Sequence, residues 1–271
     1  KIFKSSGTSN NLLSKISIDK TTSLLQARAL NKIFSNFFNI KKTKILFVDT
    51  PNVLIGSSLY SARGAAVNGF KQMFKNYEFL LDNKNSVQIK NIKKNINSDS
   101  NEKIVIFGFT SLIWDFLKKI KKKNIKFKKG QAVLIHGGGW KRMENKSVSK
   151  KIFNDSIKDI LNITDIHNYY GMIEQTGSIF FECEKGYFHP SIFSEIFIRD
   201  KNLSNLSQMR KRGLIQSLSI LPNSYPGHNI LTEDLGELCG IDDCKCGRKG
   251  KYFLIFGRAP KTEARGCSDV Y

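Results

Sequence analysis

Gln131-Ala132-Val133-Leu134-Ile135-His136-Gly137-Gly138-Gly139-Trp140-Lys141 reads as a buried strand that runs straight into three glycines. The apolar run Ala132 to Ile135 has no polar face, so both sides of the strand are expected to meet protein. Two other runs share this character: Lys44-Ile45-Leu46-Phe47-Val48-Asp49 and Lys103-Ile104-Val105-Ile106-Phe107-Gly108. From Ser111 to Lys123, Leu112, Ile113, Phe116 and Leu117 fall on one face of a helix. After the glycines, Val148, Ile152, Phe153, Ile157, Ile160 and Leu161 recur at the same spacing. Strands alternating with helices predict a parallel sheet with right-handed crossovers and ligands at the carboxyl ends of its strands. Three glycines at such an end offer bare backbone against which a flat ligand can lie. The competing reading is a wide turn that only relieves crowding.

The pattern changes beyond Gly186. Short strand-like pieces, Leu214 to Leu221 and Tyr252 to Phe256, alternate with Gly, Pro and Asn turns. The expectation is an α/β fold, mostly parallel sheet with flanking helices, plus a smaller β-rich C-terminal subdomain. The boundary is expected near residue 185, giving a nucleotide-binding core over 1–185 and a subdomain over 186–271 that completes the site. Lys93 to Lys103, polar and rich in Asn, reads as a surface loop.

Composition narrows the class. The 271 residues are 40% hydrophobic and 25% charged, the balance of a globular protein. The longest apolar runs are far shorter than the ~20 residues a membrane helix needs. The start, Lys1-Ile2-Phe3-Lys4-Ser5, does not have the pattern of a signal peptide. It is not Met, and a candidate site begins at residue 5, so an N-terminal segment is expected to be missing. The net charge of +21 raises nucleic acid as a partner, but Lys is dispersed among Ile, Asn and Phe throughout. The densest cluster, Lys118 to Lys129, reads first as a solvated helix end and loop, and second as a docking patch for an acidic partner. No aromatic-basic motif accompanies it, so no nucleic acid partner is expected. Five Cys without a signal peptide argue for reduced thiols and a cytoplasmic location.

Two further stretches carry chemistry. Ser5-Ser6-Gly7-Thr8-Ser9 combines small hydroxyls with a glycine, so that N–H and O–H groups can converge on phosphate oxygens. It lacks the Gly-Lys-Ser/Thr of a P-loop, and its structural reading is a polar turn. Tyr169-Tyr170-Gly171-Met172-Ile173-Glu174-Gln175-Thr176-Gly177 is an aromatic-Gly-x-x-Glu turn. Together they look like two halves of an ATP site that activates a carboxylic acid.

Phe3 to Ser9, His136 to Lys141, Tyr169 to Gly177 and Phe256-Gly257-Arg258 follow the order found in adenylate-forming enzymes. More narrowly, the chain resembles the acyl-protein synthetase family, the fatty-acid-activating component of the bacterial luminescence reductase complex. Ser61 to Ala65, Phe107 to Thr110 and Arg265-Gly266-Cys267-Ser268 fit the same family, and the match spans the chain. The resemblance implies that Ser5, Ser6, Gly7, Thr8 and Ser9 embrace the ATP phosphates. Gly138 and Gly139 would flank adenine, Tyr170 would stack on it, and Gly171 would admit the backbone. Glu174 would be a Mg²⁺ ligand, Asp234 would grip the ribose hydroxyls, and Arg258 would reach ribose or phosphate. The structural alternatives are a core aromatic for Tyr170, a helix-terminus carboxylate for Glu174, a turn former for Asp234 and a surface strand residue for Arg258. The resemblance further implies an acyl thioester on Cys267, whose pKa Arg265 would lower. Its partners would be a carboxylic acid and an acyl reductase or acyl carrier protein. Superfamily members usually end in a domain carrying a catalytic lysine, absent before Tyr271. Lys141, Lys261 and Arg265 are the candidates to replace it.

Cys239, Cys244 and Cys246 form C-x4-C-x-C, a candidate zinc site with Cys183 or His228 as fourth ligand. Three thiols are one short of a closed site and paired C-x-x-C spacing is absent, so reduced, unliganded thiols are the favoured reading. The expected activity is formation of an acyl adenylate from ATP and a carboxylic acid, foremost a fatty acid, then transfer to a thiol. Delivery to coenzyme A or a carrier protein is the related alternative. A non-catalytic scaffold or a zinc-stabilised basic binding module is the alternative from another class.

Overall fold

The computed structural model describes residues 2–4, 15–98, 102–140, 147–200, 203 and 205–259, with backbone alone at 58 and 59. Ser5 to Ser9, Lys141, Lys261, Arg265 and Cys267 lie outside the described residues. The chain divides into two compact units. Among the described residues, one joins those up to Phe38 to those from Tyr169 to Ala259; the other lies within Asn39–Asn168. The division therefore does not follow the expected boundary near residue 185, because the first helix belongs with the C-terminal strands.

The first unit begins with an antiparallel pair, β1 (Ile2–Lys4) and β2 (Lys15–Ser17). Helix α1 (Lys20–Phe37) follows, capped by Asp19, whose side chain accepts the Thr22 N–H at 2.6 Å. Gln26, Ala29, Leu30, Ile33 and Phe34 make its buried stripe.

The second unit is the expected strand–helix alternation. Its elements are β3 (Lys44–Phe47), α2 (Ala62–Lys71), β4 (Asn76–Phe79), α3 (Ile89–Ile96), β5 (Ile104–Phe109), α4 (Thr110–Ile120), β6 (Ala132–Gly137) and α5 (Lys150–Leu161). The strands lie in the order β6-β5-β3-β4, all parallel. Every residue of β5 and β6 is buried, which is why both read as continuous apolar runs. Ile113, Phe116, Leu117 and Ile120 of α4 pack into one core with Phe153, Ile157 and Leu161 of α5. Ile152, placed on that face by spacing, is 51% exposed. Of the stretch read as a loop, 93–96 instead continue α3, because Ile89, Ile92 and Ile96 fall on one helical face against the same core; 97 and 98 lie past the helix, as expected of a loop. The lysine run alternates outward with buried Ile125 and Phe127, as a solvated edge does.

The chain re-enters the first unit within β7 (Asp165–Gly171). It continues through β8 (Ile179–Glu182), β9 (Phe188–His189), β10 (Ser194–Arg199), β11 (Arg212–Ser219), β12 (Asn229–Ile241) and β13 (Lys251–Arg258). Their order is β10-β11-β12-β13-β9-β8-β7 with antiparallel pairings. Phe180, Phe188, Ile196, Ile198, Ile215 and Phe253 form their core, with Tyr170 packed on it. Phe181 of β8 meets Phe34, Phe37 and Phe38 at the end of α1, with ring centroids 6.3, 5.1 and 4.9 Å away. This aromatic contact ties the N-terminal helix to the C-terminal strands. Among the described residues no helix is long and apolar enough to cross a membrane.

Candidate functional site

In the first unit, three of the residues singled out from sequence converge. Strand β7 carries Tyr170, whose ring lies 6.0 Å from that of Phe180. Its hydroxyl donates to Asp234 Oδ2 at 2.7 Å across 64 residues of sequence. The register of β12 on β13 sets Asp234 opposite Arg258. Arg258 pairs with the neighbouring Glu233 at 3.5 Å. An aromatic ring, a carboxylate and a guanidinium, from β7, β12 and β13, are thereby grouped, a set able to stack on a base and bond hydroxyls. Gly171 faces Ile179 on β8, and a Cβ there would approach Ile179 Cγ2 to 2.9 Å, so packing itself demands glycine.

Glu174 sits in the 3-10 turn Ile173–Gln175 that follows β7. It is half-buried, and loss of hydration raises its carboxyl pKa above the usual range. The turn is held by its neighbour Gln175, which sequence reasoning missed. Gln175 Nε2 donates to the carbonyls of Ser217 at 3.0 Å and Gly227 at 2.9 Å, and its Oε1 accepts from Ser217 Oγ at 2.6 Å. Gly177 adopts φ 89°, and a Cβ there would lie 2.7 Å from the Gln26 carbonyl. Only the Glu-Gln-Thr-Gly order hinted at this lock, since a buried amide and an ordinary polar turn residue look alike in sequence.

The second unit presents Gly138 and Gly139, both exposed, just past the end of β6. Gly138 has φ 79°, and a Cβ there would sit 2.4 Å from the Phe109 ring. Glycine is thus required for the turn, and its bare backbone remains open to a ligand. Below it His136 is buried against the Phe153 ring at 4.8 Å. Thr110 Oγ1 lies 3.0 Å from the Gly137 carbonyl and 2.9 Å from His136 Nδ1. The carbonyl can only accept, so the single hydroxyl proton goes to it and His136 Nδ1–H donates to Thr110.

Burial pushes the His136 pKa down to about 3, with nearby Lys150 and His167 adding repulsion. An unfolded histidine titrates near ~6.5, so below that pH the unfolded chain binds a proton the folded one refuses. The stability this group contributes is complete above pH ~6.5 and is lost toward pH ~3, at up to about 1.4 kcal/mol per pH unit. Urea unfolding of the wild type is expected to weaken through that window, and His136→Asn to flatten the decline. Parallel pH profiles for the two proteins would show that His136 is not the group responsible.

Four metal-binding side chains gather elsewhere in the first unit. The ligand atoms of Cys183, His189, Cys244 and Cys246 lie within 4.8 Å of one another. Among the described residues this group excludes Cys239 and His228, which corrects the expected set. Cys239 falls where the register of β12 shifts on β13, and its Sγ faces the Glu237 carbonyl at 3.5 Å.

The model of one family, acyl-protein synthetase, LuxE, matches residues 1–271. The long-chain-fatty-acid–luciferin-component ligase of Aliivibrio fischeri is 27% identical over 173 residues, 59% of this chain and 43% of that protein. An open conformation of 2-hydroxyisobutyryl-CoA ligase, in complex with 2-HIB-AMP and CoA, aligns with TM-score 0.68 at 12% identity over 95% of this chain and 57% of that one. ATP-bound MatB from Rhodopseudomonas palustris aligns with TM-score 0.58 at 13% identity over 95% and 47%. O-succinylbenzoate coenzyme A synthetase (MenE) from Bacillus subtilis, with ATP and magnesium ion, gives TM-score 0.58 at 14% identity over 95% and 49%. At such identities these structures share the fold. The chain spans about half the length of these relatives. Matched from end to end by the family's model, the chain belongs to the acyl-protein synthetase family, LuxE.

Proposed function

We propose that this chain is the nucleotide-binding part of a ligase that uses ATP to activate a carboxylic acid, foremost a fatty acid, and passes the acyl group to a thiol. The observation that carries the reading is the Tyr170–Asp234–Arg258 grouping in a chain of this family. In the first step a carboxylate oxygen attacks the α-phosphorus of ATP. The bond to the β-phosphate bridging oxygen breaks, and acyl adenylate and pyrophosphate form. Tyr170 would stack on adenine, Asp234 would accept from ribose hydroxyls, and Arg258 would add positive charge beside ribose or phosphate. Gly138 and Gly139 would let the backbone lie along the base. Ser5 to Ser9 would hold the phosphates through N–H and O–H donors.

The half-buried Glu174 carboxylate together with substrate phosphates is the all-oxygen donor set that suits Mg²⁺, which would shield phosphate charge as the acyl oxygen approaches. In the second step the Cys267 thiolate would attack the acyl carbon, expelling AMP and forming a thioester. An acceptor thiol on an acyl reductase would then take the acyl group and return the Cys267 thiolate. Delivery to coenzyme A or a carrier protein differs only in the acceptor.

Pyrophosphate release with a panel of carboxylic acids tests the first step, and radioactive acyl labelling tests the second. Cys267→Ser is expected to keep acid-dependent pyrophosphate release and to lose protein labelling. Silence with every acid in the full-length protein would sink the ligase reading. Labelling that persists in the variant would remove Cys267 alone. Acyl transfer to added coenzyme A by the variant would identify the alternative acceptor.

A further inference from the structure

Two turns of the first unit have the same construction. Cys183, just after β8, opens Cys183-x-x-Gly186. Cys244, between β12 and β13, opens Cys244-x-x-Gly247. In each, the glycine N–H donates to the cysteine carbonyl, at 2.8 and 2.9 Å, and the glycine is left-handed, with φ 84° and 82°. The turns aim at a common point that Cys246 and His189 also face.

The spacing fits a metal. With Zn–S near ~2.3 Å and Zn–N near ~2.0 Å, tetrahedral coordination sets sulfurs about 3.8 Å apart and sulfur and nitrogen about 3.5 Å apart. Cys246 Sγ and His189 Nε2 are 3.4 Å apart, and all four ligand atoms fall within 4.8 Å. All four described cysteines are free thiols.

We propose that Cys183, His189, Cys244 and Cys246 bind a zinc ion whose role is structural. A soft set of three sulfurs and one nitrogen selects zinc over magnesium or calcium. Four protein ligands leave no open position for substrate, so the ion is a staple and not a catalyst. The place needs one. Strand β9 has two residues and a single register pair with β13, Phe188 opposite Phe253. The ion would clamp the β8–β9 turn to the β12–β13 turn, at the opposite ends of the two strands that carry Asp234 and Arg258. Cys239 packs in the same apolar cluster as Cys183 and Cys244 and takes no part in the ligand set.

The full chain, purified without added metal, is tested by elemental analysis and, after chelation under reducing conditions, by titration with cobalt(II). The expected result is equimolar zinc, released by a thiol-blocking mercurial. Cobalt(II) is expected to give the intense visible bands of a tetrahedral site with thiolate charge transfer in the near ultraviolet. Cys246→Ser is expected to lower zinc affinity by about tenfold or more, while Cys239→Ser retains equimolar zinc. Zinc well below equimolar, with every thiol reacting freely, overturns the proposal. Weak octahedral cobalt bands without thiolate charge transfer do so equally, and that reading needs no variant to fold. Loss of zinc in Cys239→Ser to the extent seen in Cys246→Ser overturns the ligand set.

Discussion

Arg63→Met is expected to destabilise the unit formed by Asn39–Asn168 by about 3–5 kcal/mol. Asp49, just past β3, is 1% exposed. Its carboxylate is held by Arg63 through a two-pronged contact, with Nε donating to Oδ2 at 2.8 Å and the second nitrogen to Oδ1. The Thr50 N–H, at 2.6 Å from Oδ1, is a further donor. Methionine keeps much of the length and apolar stem of arginine but removes both of its donors, leaving a buried charge whose remaining partner among the described residues is the Thr50 N–H. The cost arises from that uncompensated charge and not from the worth of the pair, so pairing Arg63→Met with Asp49→Asn is expected to recover a large part of the loss. Both tryptophans of the chain, Trp114 and Trp140, lie in this unit and pack edge to face with centroids 5.7 Å apart. Urea unfolding followed by tryptophan fluorescence therefore reports on it directly. Single and double variants of equal stability would show that the pair is uncoupled.

Glu174→Gln is expected to lower acyl adenylate formation on the order of a hundredfold or more, the scale set by removing one group that stabilises developing phosphate charge. Glutamine is nearly isosteric, and the turn is held by Gln175, Thr176 and Gly177, so the fold is expected to survive. The loss should come with a higher Mg²⁺ requirement, because the neutral amide is a poorer ligand for a hard cation. Pyrophosphate release measured across Mg²⁺ concentrations checks both points. A variant with wild-type rate and unchanged Mg²⁺ dependence would take Glu174 out of the proposed role.

Those two sites differ in how legible they were. Glu174 stands in a local motif whose aromatic, glycine and carboxylate lie within a few residues, so its chemistry can be read directly. Its support cannot, because Gln175 finds its carbonyl partners 42 and 52 residues away. Arg63 appeared in the Ser61 to Ala65 stretch only as part of a resemblance. Its pairing with Asp49 depends on α2 packing at the end of β3. The cysteines show the same limit. The spacing Cys239, Cys244, Cys246 suggested three ligands in a row, yet the register shift at Cys239 takes that thiol out of the group. Cys183, named from sequence as a possible fourth ligand, follows β8, and His189, which spacing did not single out, comes from β9.

By itself, the sequence determined the parallel strands β3, β5 and β6, the need for glycine after the last of them, the Tyr-Gly-x-x-Glu turn and membership of the family. Each rests on local physics: uninterrupted apolar runs buried on both faces, left-handed backbone, and short-range order of side chains. Only the tertiary structure decided that α1 joins the C-terminal strands, that Tyr170 bonds Asp234 opposite Arg258, and that two Cys-x-x-Gly turns meet over His189. These depend on strand register and on contacts between segments distant in sequence, and no spacing along the chain encodes which strands become neighbours.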